Sequence, residues 1–181
     1  ISSQGGELVM RLITSTSSGN DAGLTTPSTG APHRRIRNPA SLIKFRTQTT
    51  ITSCRIFAGL TNASLATVGA GSPTLTVGLQ YDTAAADANW FFYNGSGTRI
   101  NSNVAVAAST TYYARVIGSD SSPDFRVDLL NSAGDVLARN FFRGSSIPAS
   151  EDDLRPVLSI RTLSAATREV GFIYAFGVNE I

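Results

Sequence analysis

The sequence is poor in the residues that support several kinds of chemistry. Its 181 residues include one cysteine, Cys54, and one histidine, His33. A single cysteine excludes an internal disulfide, and its setting in TSCRIFAGL predicts a buried strand residue instead of a nucleophile. Zinc sites need clusters of histidine and cysteine, and a Ser-His-Asp relay needs a histidine in the core, so neither is predicted.

Charge is also scarce. Charged residues make up 15% of the chain, against about 25% in a typical soluble domain, and the formal net charge is +2. The basic run HRRIR contains Arg34, Arg35 and Arg37. We interpret it as a solvated arm that contacts a neighbouring protein, because a general nucleic-acid binder needs a longer basic stripe. No nucleic-acid partner is predicted.

Long apolar runs are missing as well. No stretch approaches the roughly 20 residues that cross a membrane, and the first residues, ISSQGGELVMRLI, lack the pattern of a signal peptide. No membrane partner is therefore predicted. Ile1 in place of Met indicates a processed or truncated N-terminus.

The chain is rich in Ser, Thr, Asn, Gly and Ala, and its apolar residues alternate with polar ones. Val77, Leu79 and Tyr81 share one side of a predicted strand, for example, while Thr76, Gly78 and Gln80 share the other. The strongest strand patterns cover residues 75–82, 111–118, 124–130 and 169–180, and weaker ones cover 7–13, 41–47, 54–60, 89–94, 135–141 and 155–161.

About ten strands separated by turn signals, with no amphipathic helix beyond one turn at 151–154, predict an all-β fold. The expected architecture is an antiparallel β-sandwich or jelly roll formed by one domain, 1–181. The Ser-, Thr-, Gly- and Pro-rich segment 14–39 offers little to bury, so we expect an extended N-terminal arm or a long surface excursion.

The order of the motifs resembles that of a known superfold. The motifs are CRIFAGLTNAS, TVGLQYDTAAADANWFFYNGSGTRI, TYYARVIGSDSSPDFRVDLLNSAGDVLA and IPASEDDLRPVLSIRTLSAATREVGFIYAFGVNE. Together they resemble concanavalin A-like (laminin-G-like) jelly-roll modules, and more narrowly those of bacteriophage tail-fibre, tailspike and capsid appendage proteins. The resemblance spans about residues 54–180. It implies the fold more strongly than the function, because this superfold includes lectins, glycosidases and structural modules.

Catalytic residues are not predicted. Glycoside hydrolysis needs two carboxylates roughly 5 to 9.5 Å apart, and enzymes of the resembling fold carry them in a run such as E-x-D-x-x-E, which is missing here. The nearest pair is Asp124 and Asp128, which we interpret as outward acids beside Arg126. We interpret the acids at 151–153 as part of a solvated loop. We therefore predict that the chain is not an enzyme.

No metal site or cofactor is predicted either. Calcium is the metal that needs a test, because relatives of the resembling fold often bind it through Asp, Asn and backbone oxygens. Asp82, Asp87 and Asn89, or Asp120 and Asp124, offer such oxygens. Calcium takes about six to eight of them, and these acids are sparse, so local hydrogen bonds within turns are the favoured interpretation.

The stretch NWFFYN contains the only tryptophan of the chain. Alternation places Trp90 and Phe92 on one face and Phe91 and Tyr93 on the other. We favour Trp90 as a core residue, although Trp and Tyr rings also stack on sugars and anchor interfaces. The candidate ligand-binding residues are Trp90, Tyr93, Asn94, Asp82 and Asp87. The candidate interface residues are Phe91, Tyr93, Phe141, Phe142, Arg34, Arg35 and Arg37.

Three functions are compatible with these features. The leading prediction is a non-enzymatic structural module of a bacteriophage virion, made in the host cytoplasm, that forms a homo-oligomer, for example a trimer, and contacts other virion proteins. The lack of disulfides agrees with it, since phage proteins fold in a reducing compartment. The alternative is a lectin domain that recognises cell-surface glycans. A glycan lyase or hydrolase using Asp124 and Asp128 is the third.

Overall fold

The computed structural model describes residues 2–4, 7–25, 38–71, 75–95, 97–119, 124–144, 148 and 153–178. For residues 2–4, 7–9 and 174–178 the description is of the backbone. The strands are β1 (Ser2–Gln4), β2 (Glu7–Ile13), β3 (Asp21–Thr25), β4 (Ala40–Thr47), β5 (Cys54–Thr61), β6 (Thr76–Asp82), β7 (Asn89–Asn94), β8 (Arg99–Ala105), β9 (Thr111–Gly118), β10 (Phe125–Leu130), β11 (Val136–Phe142), β12 (Arg155–Thr162) and β13 (Glu169–Val178). One short helix, α1 (Leu65–Gly69), and a 3-10 turn (Thr83–Ala85) complete the described elements.

The strands form two antiparallel sheets. The seven-stranded sheet has the order β1-β2-β13-β4-β9-β10-β11, and the six-stranded sheet has the order β3-β12-β5-β6-β7-β8. The chain changes sheet repeatedly, for example between β4 and β5 and between β8 and β9. The fold is an all-β jelly-roll sandwich, so the predicted fold class is confirmed.

The core lies between the sheets and is centred on Trp90, which is completely buried. The indole packs against three rings, those of Phe45, Tyr81 and Tyr112, with centroid distances of 5.6, 6.0 and 5.4 Å. The alternating residues Val77 and Leu79 belong to the same cluster. Aromatic rings in edge-to-face contact bury a large area and fix their mutual orientation. The interpretation of Trp90 as a core residue is confirmed.

Cys54 is also part of this core and is fully buried. Burial raises the pKa of its thiol to about 12, because the charged thiolate would lose its hydration there. A thiol that stays protonated is a poor nucleophile. The prediction of a small buried hydrophobic residue is confirmed.

Part of the segment 14–39 forms a strand of the sandwich. Residues 21–25 form β3, which pairs with β12 at the edge of the six-stranded sheet, from Asp21 opposite Arg161 to Thr25 opposite Val157. Residues 21–25 were expected to belong to an extended arm or a long surface excursion, and they form an edge strand instead. Residues 26–37, which include His33 and the three arginines of the basic run, lie outside the described residues. None of the described helices has the length and apolar character needed to cross a bilayer.

Candidate functional site

The predicted ligand-binding residues lie in the six-stranded sheet, where the structure uses them internally. Asp82 and Arg55 form an ion pair with a 2.7 Å contact, and their side chains are 9% and 11% exposed. A carboxylate oxygen of Asp82 also accepts the backbone N–H of Ala84 at 2.9 Å and so caps the 3-10 turn. Asp82 is therefore a structural residue.

The Asp87 side chain also makes its contacts within the chain. Its carboxylate accepts the backbone N–H of Asp82 at 2.7 Å and pairs with the guanidinium of Arg99. The Asp87 side chain is 2% exposed. Both acids thus make the local turn contacts that the sequence favoured over a calcium site. Within the described ranges, no three His, Cys, Asp or Glu residues lie close enough together to hold a metal ion.

The aromatic residues of β7 have two apolar faces, as predicted, but the chain itself covers both. Tyr93 is 1% exposed and meets Phe57 edge to face, with ring centroids 6.3 Å apart, beneath Val68 of α1. The Phe91 ring lies under the guanidinium of Arg99 at 4.3 Å.

This arrangement corrects several sequence-based predictions. Trp90 and Tyr93 cannot stack on a sugar in this conformation, because neither ring is exposed. Tyr93 is buried by its own chain, so it does not need a neighbouring subunit, whereas Phe91 is half-buried beneath Arg99. Asn94 is buried, and its side-chain oxygen accepts the backbone N–H of Thr98 at 3.2 Å within the hairpin turn.

The other predicted interface residues divide into two groups. Phe142 is buried in the core, which contradicts an interface role, whereas Phe141 is 48% exposed at the edge strand β11. An interface role for Phe141 stays a prediction. Arg34, Arg35 and Arg37 lie outside the described residues.

A different site emerges on the outer face of the seven-stranded sheet. Asp128 of β10 lies directly opposite Arg115 of β9 on one side and Arg139 of β11 on the other. Arg115 donates to Asp128 Oδ2 from Nε at 2.7 Å, and Arg139 donates from Nε to Oδ1 at 2.7 Å. Arg126, two residues before Asp128 on the same strand, donates to Oδ2 from Nε at 3.2 Å. We call Arg115, Arg126 and Arg139 the arginine triad.

The triad keeps Asp128 ionised. The side chain of Asp128 is 0% exposed, and burial alone would raise its pKa. Hydrogen bonds from Arg139 and Arg115 and the charges of Arg115 and Arg126 outweigh burial, so the pKa of Asp128 is lowered. A carboxylate held in the charged form is a poor general acid, and one that is enclosed by three guanidinium groups is a poor base. Asp124 accepts the backbone N–H of Gly144 at 2.9 Å. These contacts give no support to catalysis by Asp124 and Asp128, the third function considered from the sequence.

Further basic residues extend this face across the sheet. Lys44 of β4 lies opposite Tyr113 of β9, and its Nζ is 5.3 Å from the centre of the Tyr113 ring. Arg46, two residues along β4, lies opposite Thr111 and donates to its Oγ1 at a long 3.4 Å. Across β13, Arg11 of β2 is opposite Gly171, which is in turn opposite Arg46.

We call this surface the basic face. Its described strand side chains include six cations, namely Arg11, Lys44, Arg46, Arg115, Arg126 and Arg139, and two anions, Asp128 and Glu169. The whole chain carries only +2. Among the described strand side chains, this face therefore has an excess of positive charge.

One end of the basic face holds a small polar cavity of about 220 Å³. Its lining is Arg11, Gln48, Thr49, Thr50, Thr167, Arg168 and Glu169. Arg11 and Glu169 form an ion pair across its floor, with Arg11 Nε 2.8 Å from Glu169 Oε2. The cavity is smaller than the roughly 300 Å³ or more of pockets that enclose a drug-sized ligand. An extended surface, not a deep pocket, is the feature that this face offers.

The sequence contains a signal for the basic face that its motifs do not reveal. Lys44, Arg115, Arg126 and Arg139 each occupy an outward position of an alternating strand. Of these, the sequence singled out Arg126 alone, as the neighbour of Asp128. The missing information was strand order, because β4 and β9 are neighbours in the sheet although more than sixty residues separate them in the chain.

Comparisons by sequence give no match, either to a protein-family model or to a curated protein. Solved structures, in contrast, match nearly the whole chain. A protein of unknown function from Shewanella oneidensis MR-1 aligns with a TM-score of 0.69 and 17% identity, covering 98% of this chain and 71% of that chain. A β-1,3-glucanase from Mycobacterium marinum aligns with a TM-score of 0.62 and 9% identity, covering 96% and 75%.

The winged bean acidic lectin, solved with methyl-α-D-galactose, has a TM-score of 0.57 and 11% identity, with 94% of this chain and 86% of the lectin covered. Alginate lyases also match. At such low identity these likenesses show the fold alone, which is the concanavalin A-like jelly roll that the motifs resembled.

The comparisons correct one prediction outright. The chain was predicted not to be an enzyme because the E-x-D-x-x-E run is missing. The glucanase and the alginate lyases are enzymes with this fold. The missing run therefore does not exclude catalysis, and the prediction is wrong.

Proposed function

We propose that this chain binds carbohydrate on the outer face of its seven-stranded sheet. The observation that carries the proposal is that the arginines of the basic face are less occupied by contacts within the chain than those on the other outer face. On the basic face, Arg46 has one long hydrogen bond within the described chain, and the arginines of the triad are 31% to 39% exposed. Partly exposed guanidinium groups on a rigid sheet beside the ring of Tyr113 offer hydrogen-bond donors and an apolar surface, which sugars need.

The comparisons support this proposal at the level of class. The matching structures named above include a lectin bound to a galactoside and enzymes named for polysaccharides. The lectin alternative from the sequence therefore has more support than the virion module. Nothing in the comparisons supports a virion context, so assembly on a bacteriophage particle, a homo-oligomer and virion partners stay predictions.

Binding to a panel of soluble polysaccharides, measured by calorimetry, tests the proposal. Arg46→Ala is expected to weaken binding of the recognised polymer. Arg161→Ala removes one arginine from the opposite sheet and changes the net charge equally, so it is the matched control. Equal affinities for the two variants, or no binding to any polymer, would contradict the proposal.

Action on the bound glycan is the second candidate, favoured by the enzymes that share the fold. Incubation of the chain with the polymer that it binds, followed by assay of new reducing ends, tests this candidate. New ends that disappear with Arg46→Ala would identify an enzyme. An unchanged polymer would leave the chain as a binding module.

A further inference from the structure

The arginine triad has more positive charge than its contacts require. All three guanidinium groups converge on the carboxylate of Asp128, with further contacts from Arg115 Nη2 at 2.5 Å and Arg126 Nη2 at 3.1 Å. Three cations against one anion leave a surplus of two charges. Like charges held this close repel one another, and the cluster is only partly open to the water that would screen them.

Each guanidinium group also retains unused donors. Arginine has five N–H groups, and in the described part of the chain Arg139 uses its Nε alone on Asp128. Arg115 and Arg126 use Nε and one terminal nitrogen each. Since the three side chains are 31%, 31% and 39% exposed, the remaining donors are open to a ligand.

An anion placed on this cluster would satisfy both features. It would neutralise the surplus charge and accept the remaining N–H donors, and planar guanidinium groups match carboxylates and similar oxyanions through paired hydrogen bonds. We infer that the ligand of the basic face is an acidic polysaccharide whose carboxylate or sulfate groups bind the arginine triad. This inference rests on the proposed carbohydrate-binding function.

The remainder of the basic face has the dimensions for a polymer. Arg115 and Arg46 lie four residues apart in register, with Lys44 and Tyr113 between them. Outward residues on a strand repeat about every 6.8 Å, so the cations span roughly 14 Å along the strands. Lys44 is 8% exposed, so the cations open to a ligand along this line are those of the triad and Arg46. A chain with repeated acidic groups can meet both at once, whereas a single small anion cannot.

Nucleic acid is a weaker match to the same surface. Recognition of single strands relies on several aromatic rings interleaved with cations, and the described aromatic side chains on the strands of this face are two, Tyr113 and, at the edge strand opposite Arg126, Phe141. Two acids, Asp128 and Glu169, also lie among the cations. A nucleic-acid ligand is therefore an outcome of the test and not part of the inference.

Asp128 acts on the ligand only through the triad and is a positioning residue. It is fully buried beneath the arginines and holds their Nε atoms toward the sheet. Asp128→Asn makes the face more positive but loosens the three guanidinium groups. If charge alone attracted the ligand, this variant would bind more tightly; if the positions of the arginines matter, it binds less tightly. The sign of the change separates the two explanations.

The test compares a polyuronate with the same polymer after reduction of its carboxylates to alcohols. We expect the charged polymer to bind at least about tenfold more tightly, with a preference that shrinks as salt is raised. A sulfated galactan, in a parallel arm, separates sulfate from carboxylate as the recognised group. Equal binding of the charged and reduced polymers, lost with Arg46→Ala, would overturn the inference and leave the proposed function standing. No binding of any polymer would overturn both.

The variants are measured with the full chain and checked for folding by circular dichroism. Arg139→Lys keeps the charge but removes the planar group, so we expect a loss of about tenfold in affinity for the charged polymer, with Arg161→Ala unchanged. Asp128→Asn is expected to weaken binding, and tighter binding would contradict its positioning role. Arg139→Lys keeps the test decisive if Asp128→Asn does not fold. Tighter binding of an oligonucleotide than of every acidic polymer would overturn the inference in favour of nucleic acid.

Discussion

The two outer faces of the sandwich use arginine in opposite ways. On the six-stranded sheet, arginine and aspartate pair one to one, in the pairs Arg55–Asp82, Arg99–Asp87 and Arg161–Asp21. On the seven-stranded sheet, three arginines share the single carboxylate of Asp128. Arg155 of β12, also on the six-stranded sheet, has a buried Nε without a hydrogen-bond partner in the described chain, so pairing there is not complete. The comparison shows that arginines mostly pair one to one where the sheet is covered, whereas three share one carboxylate where the sheet is open.

The cover on the six-stranded sheet is α1 with its flanking loops. Val68 of α1 packs on Phe57 and Tyr93, and Arg55 donates to the carbonyl of Gly69 at 2.5 Å. The sheet accommodates the rings because Gly59 and Gly78 face each other on adjacent strands. A Cβ atom on Gly78 would lie 2.4 Å from the carbonyl oxygen of Ala58. A covered face needs neutral pairs, because an unpaired charge without water is costly.

The largest effect that this comparison predicts is the loss of a covered pair. Asp82→Ala removes the partner of Arg55 and the cap of the 3-10 turn at once. Breaking a buried ion pair costs about 3 to 5 kcal/mol, because the remaining charge stays buried. Urea unfolding monitored by fluorescence measures the loss. Asp135→Ala, at an exposed turn, is the control, and an equal loss in both variants would contradict the structural role of Asp82.

The next largest loss of stability is expected in α1, the helix that covers the six-stranded sheet. Val68→Ala removes two buried methyl groups beneath α1, and we expect a loss of about 2 kcal/mol from the transfer and cavity terms. Val136→Ala makes the same chemical change at a valine that is 43% exposed, and it should cost less than about 0.5 kcal/mol. The two free energies of unfolding are compared by urea titration. Equal losses would show that α1 does not seal the face.

The core and the helix that covers the six-stranded sheet show how far the sequence predicts the structure. The alternation of Val77 and Leu79 with polar residues, repeated in other strands, was sufficient to predict the sandwich and its core. The five residues of α1 are too few to show a helical period, so the cover over Tyr93 could not be predicted and its ring was expected to be exposed.

The candidate site was harder to predict than the fold for a related reason. Alternation tells which side of a strand a residue occupies, and it placed Arg126 and Asp128 outward correctly. It does not tell which strands are neighbours. Arg115, Asp128 and Arg139 come together only because β9, β10 and β11 are adjacent at one edge of the sheet, and Lys44 joins them through a pairing that is distant in sequence.

An effect of similar size, which depends on pH, is expected at Asp128. Its pKa in the folded chain is lowered from the ordinary 3.8, so its ionised form stabilises the fold above that value and the contribution is lost as the pH falls through the folded pKa. At about pH 6, Asp128→Asn should cost about 2 kcal/mol, less than a fully buried pair because the arginines are partly exposed. Urea unfolding of both chains at about pH 6 and about pH 3 checks this. The difference between the two chains should narrow at the lower pH, and a constant difference would contradict the role of the ionised carboxylate.

The smallest effect on stability is expected at Arg46, and it provides the sharpest test of the comparison. Arg46 is half-buried on the basic face with one long hydrogen bond in the described chain, to Thr111, so Arg46→Ala should change the free energy of unfolding by no more than about 0.5 kcal/mol. At low salt the variant should be slightly more stable than the unchanged chain, because one positive charge has been removed from a face with a surplus of positive charge, and added salt should remove the gain.

Arg99→Ala is the matched change on the covered sheet. It leaves the carboxylate of Asp87, 2% exposed, without its cation, and it removes the contact with Phe91, so a loss of about 3 kcal/mol is expected. A loss at Arg46 as large as that at Arg99 would mean that the open face is held together by its charges as the covered face is, and its surplus would then no longer indicate a ligand.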